Sequence, residues 1–135
     1  MSMHVSSRSR QRTWLFVLAS LLAQSFSAHA APAFPSDLKG TWNLGPEACV
    51  LPVNPDADGP RRITSTRIEN YEDVDALIHI KRISLKPLAW HVTTTNEIAP
   101  GVVSREIYVL DGDRLTVTNG GNSVQWVRCK AKAAN

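Results

Sequence analysis

From Leu38 to Arg128 the apolar residues recur at every second position in short runs, and the runs end on glycine, proline, asparagine or aspartate. A period of two sends successive side chains to opposite faces, which is the pattern of strands with one face buried. Leu38, Gly40, Trp42 and Leu44 set a first strand over 38–44. The Gly- and Pro-rich residues 45–60 form a long connection with room for an extended piece at 49–53. A second strand is expected over 61–70, and one helical turn is compatible with 69–77. Ile78 and Ile80 share one face while Ile83 and Leu85 stand in the opposite phase, so a bulge is expected between them.

Lys86-Pro87 ends that strand, and Leu88, Trp90 and Val92 define the next. Ala99-Pro100-Gly101 fits a type II turn, with proline second and glycine third. Val103, Ile107 and Val109 follow. Asp111-Gly112-Asp113 and the stretch Asn119-Gly120-Gly121-Asn122 are hairpin signals that lead into Leu115 and Val117, then Val124 and Trp126. Consecutive short strands of this kind predict an all-β, antiparallel up-and-down barrel of seven or eight strands, or a closely related sandwich.

Residues 1–30 read as a secretory leader. Arg8, Arg10 and Arg12 precede an apolar run of ten, Trp14 to Ala23, and the stretch ends in Ala28-His29-Ala30. As a helix that run spans only about 15 Å, half a bilayer core, which suits a signal h-region cleaved after Ala30 and excludes a spanning helix. The expected organisation is therefore a cleaved leader, an N-terminal tail at 31–37, a barrel at 38–129 and a C-terminal tail at 130–135. The compartment implied is a bacterial periplasm or the cell exterior. The formal charge of +3 resides in the three leader arginines; the 12 bases and 12 acids that remain are balanced, so nucleic acid is not an expected partner.

Two cysteines, Cys49 and Cys129, in an exported domain read as one structural disulfide. The redox alternative requires the close Cys-x-x-Cys spacing, absent here.

The run Leu38-Lys39-Gly40-Thr41-Trp42-Asn43-Leu44, with its Gly-x-Trp, resembles the first strand of lipocalin-like (calycin) barrels. Through Gly45-Pro46-Glu47-Ala48-Cys49 it is most similar to the bacterial alkaline-proteinase-inhibitor family, as is Asp113-Arg114-Leu115-Thr116-Val117 with Trp126. The resemblance implies an exported eight-stranded barrel whose N-terminal tail occupies a metalloprotease cleft. Carried onto this chain, that tail is Ala31, Pro32, Ala33, Phe34, Pro35 and Ser36, stiffened by its two prolines. The second cysteine departs from the family pattern, standing near the chain end instead of in mid-sequence.

Other chemistry is sparse. Asn54-Pro55-Asp56-Ala57-Asp58-Gly59 matches the first half of a calcium loop, but the bidentate Glu that should follow is replaced by Ser65, so a solvated turn is the better reading. His79 and His91 fall on neighbouring strands and make two ligands without a third. No nucleophile elbow, zinc-protease helix or Cys-His arrangement occurs, and no cofactor motif. Arg61-Arg62, Lys81-Arg82-Lys86 and Arg128-Lys130-Lys132 are basic clusters balanced by acids elsewhere. The expectation is a monomeric, non-enzymatic, exported barrel that binds a protein partner, a protease or other hydrolase. A lipocalin-like binder using Trp42, Trp90 and Trp126 at the barrel mouth, or a purely structural envelope protein, is the alternative.

Overall fold

The computed structural model describes residues 30–54 and 56–133. The expected leader, apart from Ala30, lies outside the described residues, as do Pro55 of the 54–59 loop and residues 134 and 135 of the expected C-terminal tail. The strands run in order as β1 (Gly40–Leu44), β2 (Val50–Leu51), β3 (Pro60–Ile63), β4 (Arg67–Glu69), β5 (Val74–Leu85), β6 (Leu88–Asn96), β7 (Val103–Asp111), β8 (Arg114–Thr118), β9 (Ser123–Arg128) and β10 (Lys130–Ala131). Eight of them, all except β2 and β10, close into an antiparallel barrel. No helix occurs among the described residues, and the stretch considered for a helical turn instead enters β5 at Val74.

The seam that closes the barrel joins β1 to β9 through Trp42 opposite Arg128 and Leu44 opposite Trp126. On its other side β1 pairs with β3, setting Trp42 opposite Arg61. β2 and β10 form a separate parallel pair beside the Cys49–Cys129 disulfide, whose Cα atoms are 4.4 Å apart. Part of the expected C-terminal tail is thus strand.

Local chemistry explains most turns. Gly112 takes φ +55°, which the tight β7–β8 hairpin requires and a side chain resists. Val102 donates to the Ala99 carbonyl at 3.1 Å, closing the expected turn over Pro100 and Gly101. The expected single strand over 61–70 is instead two, because the chain reverses at 64–66. There the Thr64 hydroxyl accepts from the Arg67 N–H and donates to its carbonyl, both at 3.2 Å. Reversal lets Ile63 and Ile68, which alternate out of phase along the chain, sit opposite each other on the inner face. In β5 the register shifts twice, between Leu77 and His79 and between Arg82 and Ser84. The second shift is the expected bulge. The first separates Ile78 from Ile80: Ile78 is exposed, and Ile80 packs on the core.

Strand direction gives the barrel two ends. One carries the tight turns at 64–66, 86–87 and 112–113; the other carries the 45–59 connection, the 70–73 turn, the 97–102 loop and the 119–122 turn. Between them the interior is filled. Trp42, Tyr108, Phe34, Leu38, Ile63, Leu115 and Val92 are all fully buried, with Trp90 and Ile68 packed among them. Dense packing of this kind is how a small barrel stabilises itself.

Candidate functional site

The end with the tight turns is plugged by the chain's own N-terminal segment. Phe34 donates its N–H to the Ser65 carbonyl at 2.8 Å and is buried in the core, as is Leu38. The Leu38 carbonyl in turn accepts the Trp42 indole N–H at 2.9 Å. Gly40 follows with φ +132°, and a Cβ on it would lie 3.1 Å from Arg128 Nη1. The positive φ is what requires glycine there. Arg128 lies over Trp42 at 4.1 Å and donates to the Lys39 and Asp37 carbonyls at 2.8 and 2.6 Å. Its Nε is 3.6 Å from Asp113.

The six residues expected to form a free tail therefore divide. Ala31, Pro32 and Ala33 are exposed, Phe34 is core, Pro35 is half-buried and Ser36 is exposed. Phe34 cannot reach a partner while it plugs the barrel.

At the opposite end the interior is polar. Arg61, which the sequence grouped with Arg62 as a surface cluster, points inward in phase with Ile63. Its guanidinium carbon lies 3.9 Å from the centroid of the Trp126 ring and 5.7 Å from that of Tyr108. Arg61 makes no ion pair among the described residues, and its buried Nε and Nη2 have no hydrogen-bond partner there. Burial lowers the Arg61 pKa, opposed by Tyr108, Glu106 and Asp75. Burial also pushes the Tyr108 phenol well above its usual range; Arg61 opposes this and Glu106 adds to it. The Tyr108 hydroxyl donates to Glu106 Oε2 at 3.4 Å.

Beside this group lies a cavity of about 200 Å³, bounded by Arg61, Glu106, Asn119, Asn122, Val124 and Trp126. Across the same end, Asn70 and Asn96 each donate to both Asp73 and Asp75, at 2.7 to 3.2 Å. These four side chains tie the 70–73 turn to β5 and β6.

The three tryptophans expected at a ligand mouth are not together. Trp42 and Trp90 are buried in the core, and only Trp126 reaches the mouth, half-buried. His79 and His91 are on adjacent strands and outside the barrel, at pairing positions opposite Thr93 and Lys81. Among the described residues no group of three or more His, Cys, Asp or Glu side chains converges. In the 54–59 loop the Asn54 Oδ1 accepts the Asp56 N–H at 3.0 Å, so that oxygen is used in the turn. Arg61 was the residue missed, and its signal was parity: Arg61 and Ile63 share a strand face.

No protein-family model, curated protein or solved structure matches this chain.

Proposed function

We propose that the chain is an exported, non-enzymatic barrel that binds a protein partner in the periplasm or outside the cell. It inhibits a secreted or periplasmic hydrolase such as a metalloprotease, and it does so with Ala31, Pro32 and Ala33. The observation that carries this reading is the division of the N-terminal segment. Phe34 and Leu38 are locked into the core, while the three residues before Phe34 stand exposed. An extended tripeptide held at its root by a buried aromatic loses little freedom on entering a cleft, and Pro32 restricts it further. The resemblance of the 38–49 stretch to the alkaline-proteinase-inhibitor family points the same way. The filled interior disfavours a lipophilic carrier, which needs an empty apolar cavity.

The test is inhibition of secreted metalloproteases by the protein lacking residues 1–30. Removing Ala31, Pro32 and Ala33 should abolish inhibition and leave the melting temperature unchanged. Unchanged inhibition sinks the tail mechanism, and no inhibition by the parent protein sinks the hydrolase reading. Deletion must stop before Phe34, because a longer cut opens the core and would remove activity by unfolding.

A further inference from the structure

The Arg61 guanidinium does not fit the role of a structural cation. A charge taken into a barrel is costly unless it is paired. Here the aromatic faces of Trp126 and Tyr108 offset part of that cost, and Glu106 and Asp75 act on it from a distance. Two donors are still unmet, and they are not an arbitrary pair. Nε–H and one Nη2–H lie parallel along one edge of the guanidinium plane. That edge is the fork that takes both oxygens of a carboxylate at once.

The surroundings suit a short carboxylate. The adjoining cavity of about 200 Å³ is small, and the core below it is packed by Tyr108, Trp90 and Val92, so no long acyl chain fits. Val117 and Val124 give the cavity an apolar wall, and Asn119 and Asn122 bring polar side chains to its edge. Glu106, the acid on the wall, is engaged by the Tyr108 hydroxyl. Nε and Nη2 are closed off from solvent and the indole of Trp126 covers the guanidinium face, so a ligand reaches the fork only when that ring moves.

We infer that the barrel mouth is a binding site for a carboxylate group, held by the Nε and Nη2 edge of Arg61 between Trp126 and the 119–122 turn. The site lies at the end of the barrel away from Ala31, Pro32 and Ala33. It stands whether or not those residues inhibit a hydrolase.

Heteronuclear NMR of the purified protein reads the site directly, through the Arg61 Nε–H and the Trp126 indole N–H. Sodium acetate should shift both resonances saturably, while sodium chloride at equal ionic strength should not. Ala-Ala-Ala with a free carboxyl terminus and the same peptide amidated separate the two sources of the group. Tighter binding of the free peptide than of acetate, with the amidated form silent, identifies a chain end. Equal binding of acetate and the free peptide identifies a small free acid. Arg61→Lys keeps the charge and loses the fork, and should weaken acetate binding by about tenfold or more. Glu106→Gln removes a like charge and should tighten it. The inference fails if acetate produces no saturable shift, if chloride reproduces it, or if Arg61→Lys binds acetate at wild-type affinity.

Discussion

Each end of the barrel is built around an arginine stacked on a tryptophan, and the two stacks are finished differently. At the plugged end Arg128 lies over Trp42 with its donors on the Lys39 and Asp37 carbonyls and Asp113 beside it. At the mouth Arg61 lies over Trp126 with two donors unmet. Sequence sets the contrast. The segment 37–39 crosses the plugged end and offers carbonyls there, and the 119–122 turn offers none to Arg61. Within that turn the Asn119 Oδ1 is used locally, accepting from the Gly121 and Asn122 N–H groups. The same pair of residue types is a completed clasp in one place and an incompletely bonded stack in the other.

That contrast can be broken by mutation. Trp42→Ala should cost about 3–5 kcal/mol in urea denaturation, as for a buried tryptophan. Trp126→Ala, half-buried, should cost roughly a third of that; equal costs would mean that the mouth is built as core. Alkali should act through the mouth. The folded pKa of Tyr108 is raised, so its contribution is intact below the unfolded pKa near 10 and is lost as pH rises from there towards the folded value. The slope is about 1.4 kcal/mol per pH unit for that one proton. Tyr108→Phe should remove that increment from the stability profile above pH 10, and an unaltered slope would place the phenol in contact with water. Arg128→Met should cost roughly 1–3 kcal/mol, since it leaves two carbonyls without their charged donor. Arg61→Met, the smallest effect, should fall within about 1 kcal/mol of the parent or stabilise it, because it removes a buried, incompletely bonded charge. A loss at Arg61 larger than that at Arg128 would reverse the assignment of the two ends.

Much of the barrel was legible because its turns carry their own chemistry. Asp111-Gly112-Asp113 and Ala99-Pro100-Gly101 demand particular backbone angles, and the alternation around Trp42 and Trp90 sets an inner face. In β7 the expected phase of Val103, Ile107 and Val109 is reversed, since Tyr108 and Leu110 are the buried residues. The disulfide followed from two cysteines and no others. What escaped depends on contacts between residues distant in the chain. Phe34 sits alone among prolines and small residues, with no periodic partner to mark it as core; only barrel closure supplies the hole it fills. The 64–66 reversal was concealed by β-branched residues that suit a strand equally well, although the change of phase between Ile63 and Ile68 recorded it. Arg61 was obscured by its neighbour, because Arg-Arg suggests a solvated face until alternation assigns the two side chains to opposite sides.

The seam between β1 and β9 governs the order in which this protein can be completed. β3 pairs with β1, and β4 to β9 each pair with the strand before, so a chain emerging from its N-terminus can zip them as they appear. Gly40–Leu44, however, waits for Ser123–Arg128 before its second edge is covered. Pairings so far apart in sequence close late and slowly. Until they do, β1 presents an open edge beside Trp42, ready to pair with another chain. Loss of even the last few residues of β9 would therefore leave an unfinished, aggregation-prone ring, not a shortened barrel.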